Sequence, residues 1–205
     1  MTKQVFSKPF TQQEAIPEAG IARAVEIMKT GRLHRYNLLP DEAGEAAALE
    51  MEYAKWQGAD YCIACTSGGY AIQLGLRVCG VKPGDKVLAN AYTLAPVPGA
   101  IHNVGGVPVL VDIDDSYHID CDDLDVKAAA SGAKYLLLSY MRGHIPDMDK
   151  LLAVCAKYDI CLIEDCAHTM GAKWRGIRSG NFGKVAAFST QTYKHMNSGE
   201  GGFLT

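Results

Sequence analysis

Short apolar runs recur along the chain and alternate with longer segments of mixed polar and apolar residues. The run Ile160 to Ile163 has no polar interruption, which is typical of a parallel β-strand covered on both faces. The segments between such runs are long enough to hold helices in right-handed βαβ crossovers. The pattern therefore predicts an α/β fold with seven strands, which lie near Tyr61, Val87, Val107, Tyr135, Cys161, Val185 and Gly202.

The first part of the chain predicts helices instead of strands. We expect a helix over about Ile21 to Thr30, after an N-terminal arm of about 19 residues. An Ala/Glu-rich helix should follow over about Asp41 to Trp56. We therefore divide the chain into an N-terminal arm with helices, residues 1–56, and a sheet domain, residues 57–205.

A lysine stands just beyond one of the predicted buried strands. Lys194 follows the apolar run Val185 to Phe188 and precedes the turn Gly199-Glu200-Gly201-Gly202. An amine held in such a pocket loses hydration, so its pKa falls and it becomes nucleophilic enough to form a Schiff base with an aldehyde. The alternative interpretation is a solvated lysine in a surface loop.

A carboxylate ends another predicted strand. Asp165 follows the apolar run Ile160 to Ile163, and in open α/β sheets the ligand crevice lies beyond the carboxyl ends of the strands. An ionised carboxylate there can keep the proton on a pyridine-type nitrogen, which makes the ring of pyridoxal phosphate an electron sink. Capping of a following helix is the alternative role for Asp165.

A glycine-rich turn joins the first predicted strand to a helix. In Ser67-Gly68-Gly69 the serine is a favourable N-cap, and the glycines let backbone N–H groups approach an anion at the positive end of the helix. The turn suits a phosphate, and the hydroxyl of Ser189 can reach the same group. It is neither a Walker loop nor a GxGxxG fingerprint, and a plain tight turn is the alternative.

Several further motifs accompany these three features, in one order along the chain. They are Ser67-Gly68-Gly69-x-Ala71, Lys82-Pro83-Gly84-Asp85-Lys86-Val87, Pro108-Val109-Leu110-Val111-Asp112-Ile113-Asp114, Asp147-Met148-Asp149, Glu164-Asp165-Cys166-Ala167-His168, Phe188-Ser189, and Lys194 with Ser198-Gly199-Glu200-Gly201-Gly202. Together they resemble the DegT/DnrJ/EryC1/StrS family of pyridoxal-phosphate-dependent sugar aminotransferases. The resemblance implies the large domain of fold type I enzymes, a three-layer αβα arrangement with a mostly parallel seven-stranded sheet. Residues 57–205 would then be the domain that binds pyridoxal phosphate.

The resemblance implies roles for three side chains. Lys194 would hold the cofactor as an internal aldimine and later shuttle a proton between the substrate carbon and the cofactor. Asp165 would pair with the pyridine nitrogen. His168 stands where relatives often have Gln or His, and it would contact the oxygen on the cofactor ring.

The phosphate and the ring face also receive partners by resemblance. Gly69 and Tyr70 would donate backbone N–H groups to the phosphate, and Ser189 would donate its hydroxyl. The family usually places Phe or Trp over the ring at the position of Leu94. Leu94 would then cover the ring by apolar contact, or Tyr92 would take over that role.

The implied activity is amino transfer. An amino acid, glutamate or glutamine, would load the cofactor with nitrogen, and a keto-sugar nucleotide or a keto-cyclitol would accept it in a ping-pong cycle. One branch of the family has His in place of the lysine and performs sugar dehydration. His195 is one position too late for that replacement, so the presence of Lys194 favours the aminotransferase. The family also implies a homodimer.

Composition agrees with a cytoplasmic enzyme. The net charge of −3 speaks against nucleic-acid binding, and no apolar stretch approaches the roughly 20 residues that span a membrane. Seven cysteines, several of them in apolar runs, are typical of reduced thiols that pack as small hydrophobes. The C-x-x-C formed by Cys62 and Cys65 has no second pair at zinc spacing, so we expect no metal site.

Length limits these expectations. Members of the family are nearly twice as long as the 205 residues here, and they carry a smaller C-terminal domain after the large one. We expect the large domain without that small domain. The sequence leaves open whether the chain is a fragment or a split-gene product that works with a separate C-terminal half. A second alternative is therefore a protein that binds pyridoxal phosphate without turnover of its own.

Overall fold

The computed structural model describes residues 7, 13, 15–36, 38, 39 and 44–205. Most of the predicted N-terminal arm lies outside the described residues, as does the predicted helix start at 41–43. Two helices follow, α1 (Glu18–Thr30) and α2 (Glu45–Gln57). Each ends at a glycine in the left-handed region, Gly31 with φ 68° and Gly58 with φ 84°, because a left-handed residue closes the last helical turn.

A seven-stranded sheet forms the centre of the chain, as predicted. In chain order the strands are β1 (Ile63–Cys65), β2 (Lys86–Asn90), β3 (Val107–Val111), β4 (Tyr135–Ser139), β5 (Cys161–Asp165), β6 (Lys173–Trp174), β7 (Ile177–Arg178), β8 (Val185–Ser189) and β9 (Gly202–Leu204). All of these strands except β6 and β7 belong to the sheet, in the order β1-β9-β8-β5-β4-β2-β3. Strand β9 runs antiparallel to both of its neighbours. Strands β6 and β7 form a separate hairpin that the sequence did not predict. Two-residue strands are too short to give a periodic signal.

Helices cover both faces of the sheet. They are α3 (Gly68–Val78), α4 (Pro96–Asn103), α5 (Cys121–Ser131) and α6 (Met148–Tyr158), with a short 3₁₀ turn at Met141–Gly143. Alternate strand residues pack in opposite directions: Val87 belongs to the core under α3 and α4, whereas Leu88 belongs to the core under α5 and α6. This arrangement confirms the three-layer α/β prediction.

Helix α2 joins the layer that contains α5 and α6. Its Tyr53 is buried and stacks on Phe203 of β9, with ring centroids 4.1 Å apart. The same ring meets the edge of Phe188 of β8 at 5.4 Å. Helix α2 therefore packs on the sheet by aromatic contacts, although the proposed division of the chain falls at residue 56, inside this helix.

The start of α3 lies directly against β9, and Gly202 makes this contact possible. A Cβ atom on Gly202 would lie 2.6 Å from the Phe188 carbonyl oxygen and 2.7 Å from the Gly68 nitrogen, and neither backbone atom can move aside. We expect Gly202→Ala to lower the free energy of unfolding by about 3 kcal/mol. Urea unfolding would measure this loss.

Gly99 supplies the matched control. It lies within α4, and nothing is within 4 Å of the Cβ that an alanine would add. Gly99→Ala should raise the free energy of unfolding by up to about 1 kcal/mol, because alanine favours the helix. Equal unfolding midpoints for the two variants would show that the contact at Gly202 is not restrictive.

Candidate active site

A cavity of about 360 Å³ opens at the carboxyl ends of the central strands. Three polar residues reach it from the last positions of adjacent strands: Ser139 ends β4, Asp165 ends β5 and Ser189 ends β8. The volume is within the range of pockets for cofactor-sized ligands, about 300–1,000 Å³. Six of the residues predicted from the sequence line this cavity, namely Gly69, Leu94, Asp165, His168, Ser189 and Lys194.

Asp165 is a buried carboxylate with two neutral donors. Its Oδ2 accepts a hydrogen bond from Ser139 Oγ at 2.9 Å, and its Oδ1 accepts one from the Ala167 N–H at 3.1 Å. Burial raises the pKa of Asp165, while the two hydrogen bonds and the charge of Lys194 act in the opposite direction. A turn follows Asp165 instead of an α-helix, so the side chain is not a helix cap. The carboxylate can accept a further hydrogen bond from a ligand in the cavity.

Ser139 is itself held in place from the neighbouring strand. The backbone N–H of Ser139 donates to Asn90 Oδ1 at 2.9 Å, and Asn90 Nδ2 donates to the Ser139 carbonyl oxygen at 3.1 Å. The buried amide of Asn90 thus bonds both backbone groups of Ser139. A chain of hydrogen bonds from Asn90 through Ser139 fixes the Asp165 carboxylate, and such fixed groups keep a site preorganised.

Glu164, which precedes Asp165 in the sequence, has a structural role instead. Glu164 points to the opposite face of the sheet, since successive strand residues alternate. It is fully buried, and it accepts hydrogen bonds from Tyr140 Oη at 2.6 Å, the Gly180 N–H at 2.8 Å and the Gly183 N–H at 2.6 Å. Glu164 therefore ties the loop before β8 to the sheet.

Lys194 and His168 form a close pair in the cavity. Lys194 Nζ lies 2.6 Å from His168 Nε2, and His168 Nδ1 accepts a hydrogen bond from the Arg142 N–H at 3.0 Å. Because Nδ1 accepts, the neutral ring must carry its hydrogen on Nε2. That hydrogen then points at the lone pair of an uncharged Lys194 amine. The hydrogen-bond pattern selects the nucleophilic form of the lysine.

Electrostatics favour the same protonation states. Burial is the largest cause that lowers the pKa of Lys194, and the charge of Arg142 lowers it further, although Asp165 raises it. Burial and the neighbouring Lys194 lower the pKa of His168 to about 4. Both groups are therefore driven toward their neutral forms, as a lysine that must attack an aldehyde requires.

The His168 shift predicts a pH dependence of stability. The ordinary pKa of 6.5 falls to about 4 on folding, so the neutral ring contributes stability that is present above pH 6.5 and is lost as the pH falls toward 4. We expect the wild-type chain to lose more free energy of unfolding over this range than His168→Gln. Glutamine does not titrate, yet its amide can bond both neighbours of the ring. Urea unfolding at both pH values would measure the difference, and parallel losses in the two proteins would contradict it.

The start of α3 faces Ser189 across the cavity. Ser67 caps the helix, with its Oγ accepting the Tyr70 N–H at 3.1 Å. A Cβ on Gly68 would lie 2.7 Å from Ser189 Cβ, whereas a Cβ on Gly69 would meet nothing closer than 3.7 Å. The helix end therefore packs tightly at Gly68 and stays open at Gly69. A helix N-terminus carries partial positive charge, so this end can hold an anion.

The sequence predicts Tyr70 as a phosphate ligand and Leu94 or Tyr92 as the cover of the ring. The Tyr70 side chain is exposed and lies outside the lining of the cavity, and its N–H already donates to Ser67 Oγ. Leu94 lines the cavity and is 46% exposed. Tyr92, the other candidate to cover a ring, packs instead on Tyr117, with ring centroids 5.4 Å apart.

Two residues were not predicted as part of the site, although Arg142-Gly143-His144 stands where a Tyr-Gly pair is more usual in the family and so hints at a sub-branch with a different substrate. Ser139 could have been found, because it ends an apolar run in the same way as Asp165. Arg142 could not, since its contact with His168 depends on a left-handed backbone, with φ 56°. No local sequence signal predicts that conformation for an arginine.

The described residues also bear on the metal and membrane expectations. Within these residues, no three His, Cys, Asp or Glu side chains come together as metal ligands would. No helix in the same part of the chain has both the length and the apolar character to cross a membrane. Cys62 and Cys65 are free and half-buried, and burial raises the pKa of Cys62 to about 12 and raises that of Cys65. Thiols held protonated in this way are poor metal ligands and poor nucleophiles.

Comparison with known proteins assigns the class. The sequence profile of the DegT/DnrJ/EryC1/StrS aminotransferase family matches residues 17–205. The chain belongs to this family, which confirms the resemblance inferred from the motifs. The fold type I prediction is confirmed as well, since aminotransferases of that fold are among the solved structures that match.

Three relatives illustrate the match. An L-glutamine:2-deoxy-scyllo-inosose aminotransferase from Streptoalloteichus tenebrarius is 38% identical over 152 residues, which cover 74% of this chain and 36% of that protein. The crystal structure of 3-amino-5-hydroxybenzoic acid synthase has a TM-score of 0.86 at 31% identity, covering 96% of this chain and 50% of the other. A Streptococcus pneumoniae structure, described as a sugar aminotransferase in its PLP-form, has a TM-score of 0.84 at 27% identity and covers 98% and 53%. The chain spans less than half the length of the curated relatives it matches.

Proposed function

We propose that this chain binds pyridoxal phosphate and forms the cofactor-binding part of an aminotransferase. The observation that carries the proposal is the pairing of Lys194 Nζ with His168 Nε2 at 2.6 Å, in the cavity that Asp165 also reaches. An uncharged amine, a buried carboxylate and a helix N-terminus then face one space. These three groups suit the aldehyde, the ring nitrogen and the phosphate of one cofactor.

The residues present fit this group. When bound, pyridoxal phosphate supplies an electron sink that stabilises negative charge on the carbon next to the transferred nitrogen. Asp165 would accept the ring N–H, a role supported by its burial and by its lack of a charged partner other than Lys194. His168 would donate from Nε2 to the ring oxygen, and Ser189 with Gly69 would hold the phosphate at the start of α3. The backbone N–H of Tyr70 would have to leave Ser67 Oγ to reach the phosphate, and Leu94 would be the apolar cover of the ring.

Lys194 serves the reaction in two ways. Its amine would hold the cofactor, and its Nζ would accept and return the proton at the substrate carbon. A low pKa suits this second task, because the amine must accept a proton at neutral pH. The dehydratase alternative would place a histidine here. Lys194 lines the cavity and His195 does not, which favours amino transfer.

Substrates and assembly follow from the relatives. We propose glutamine or glutamate as the amino donor and a keto-cyclitol or keto-sugar nucleotide as the acceptor. The named activity of the Streptoalloteichus relative, with L-glutamine and 2-deoxy-scyllo-inosose, supports a keto-cyclitol as the acceptor. We further propose a cytoplasmic homodimer. The chain spans less than half the length of its curated relatives, so one arm of the test supplies a C-terminal half.

A single-turnover half-reaction tests the activity. The chain loaded with pyridoxal phosphate is mixed with L-glutamine or L-glutamate, with and without a supplied C-terminal half from a relative, and the cofactor spectrum is followed. We expect conversion of the cofactor to its amine form in at least one of these mixtures. Cofactor binding without conversion in any mixture would support the non-catalytic alternative instead.

A further inference from the structure

A second cavity, of about 380 Å³, lies on the other side of Lys194. It shares Ala167, His168 and Lys194 with the first cavity, so the two cavities adjoin at these residues. Arg142, Tyr193 and His195 complete its lining. No aspartate or glutamate lines this second cavity, whereas Asp165 and Glu200 both line the first. The second cavity is therefore a basic chamber beside the reacting amine.

Arg142 is an exposed arginine among the residues that line this basic chamber. Its φ of 56° lies in the left-handed region, which costs a non-glycine residue about 1–2 kcal/mol. The bond from its N–H to His168 Nδ1, at 3.0 Å, ties its backbone to the site, and Arg142 is one of the residues that line the chamber.

The Arg142 guanidinium has no carboxylate partner among the described residues. Arg35 does have one, in Glu50 at 2.6 Å, and Arg175 has one in Asp149 at 2.7 Å, whereas Arg178 lies over the Trp56 ring instead. The charge of Arg142 lowers the pKa of both Lys194 and His168, so it acts on the centre of the site. An unpaired guanidinium beside a reacting amine is suited to an anionic ligand.

We propose that the basic chamber binds the α-carboxylate of the amino donor, with the guanidinium of Arg142 as its main partner. This assignment rests on the proposed function. The donor nitrogen must reach the place that Lys194 Nζ occupies, and the α-carboxylate is attached to the carbon that bears this nitrogen. The carboxylate must therefore lie beside Lys194. The diphosphate of a nucleotide sugar is separated from its keto carbon by part of the sugar ring, so it would lie farther away.

Equilibrium binding to the cofactor-free 205-residue chain tests the proposal without any turnover. Two probes differ only in the carboxylate: L-glutamine and 4-aminobutanamide, which is glutamine without its α-carboxylate. We expect L-glutamine to bind about 10–100-fold more tightly, as a charge-assisted bond of this kind implies. Only L-glutamine should shift the ¹⁵N resonance of the Arg142 side chain. Equal affinities would overturn the proposal.

Two variants assign the effect to the side chain. Arg142→Gln removes the guanidinium and keeps the backbone N–H that binds His168, and we expect its affinity for L-glutamine to fall about 10-fold or more. The affinity of Arg142→Lys for L-glutamine should lie between those of the wild type and Arg142→Gln, since an ammonium cannot bind a carboxylate in the same forked manner. Arg175→Gln is the matched control, because Arg175 also has a positive φ, of 47°, and lies outside the basic chamber. An Arg142→Gln variant that keeps wild-type affinity would overturn the proposal.

A third probe distinguishes a phosphate from a carboxylate. Methyl phosphate that bound at least tenfold more tightly than L-glutamine, and that depended on Arg142, would overturn the carboxylate assignment. Failure of the proposed function would look different. In that case Lys194 would take up no pyridoxal phosphate, while binding of L-glutamine through Arg142 would still be measurable on the cofactor-free chain.

Discussion

Replacing Lys194 with alanine is expected to slow the half-reaction with the amino donor by at least about 10²–10⁴-fold. The variant lacks the amine that anchors the cofactor, and it lacks the base that moves the proton at the substrate carbon. Neighbouring groups do not substitute for it, because His168 presents a donor at Nε2 and has a pKa lowered to about 4. Single-turnover spectra with L-glutamine would measure the rate.

Lys184→Ala is the matched control for this result. Lys184 is exposed just before β8 and outside the lining of the cavity, and its backbone N–H, which donates to the Leu162 carbonyl oxygen at 2.8 Å, is unaffected by the substitution. We expect its half-reaction to match the wild type. If the half-reaction of Lys194→Ala were as fast as that of Lys184→Ala, Lys194 would have no role in the reaction.

The second large effect concerns Asp165, where stability and activity should change in opposite directions. Burial raises the pKa of this carboxyl, so the ionised form costs free energy of folding at neutral pH. Stability linked to a raised pKa is present below the unfolded-state value of 3.8 and is lost as the pH rises through the folded-state value. Asp165→Asn removes this loss, and its amide can still bond Ser139 and Ala167. We therefore expect a higher melting temperature for the cofactor-free variant at pH 7.

The same variant should lose activity. An amide carries no charge to hold a proton on the ring nitrogen, and removal of one preorganised electrostatic partner typically costs about 10²–10³-fold in rate. Thermal melts of the cofactor-free protein and single-turnover rates of the loaded protein would test both halves. A variant that is less stable and equally active would contradict the assignment of Asp165, since such a result describes a purely structural carboxylate.

Much of the fold could be predicted because each of these strands corresponds to a short apolar run in the local sequence. The runs at Val87, Tyr135, Cys161 and Val185 are short and apolar, and each becomes a strand buried between helices. The polar residues at the ends of such runs then converge at one edge, because parallel strands share a direction. This rule located Asp165, whereas the role of His168 came from the family resemblance.

The remaining features depend on contacts between distant segments. Whether the carboxylate at 164 or at 165 faces the cavity is decided by the register of β5, and Ser139 meets Asp165 only because β4 lies beside β5. The tautomer of His168 depends on a left-handed Arg142 that comes 26 residues earlier in the chain. A single sequence contains no local pattern for such pairings. The basic chamber beside Lys194 therefore became visible only in three dimensions.

The central claim is that the amine of Lys194 joins pyridoxal phosphate, and one measurement tests it most directly. The chain is incubated with the cofactor, reduced with borohydride to fix any cofactor bound to an amine, digested and mapped by peptide mass. We expect one phosphopyridoxyl group, on the peptide that contains Lys194, and none after Lys194→Ala. A modification spread over other lysines, or the same modification level in both proteins, would contradict it.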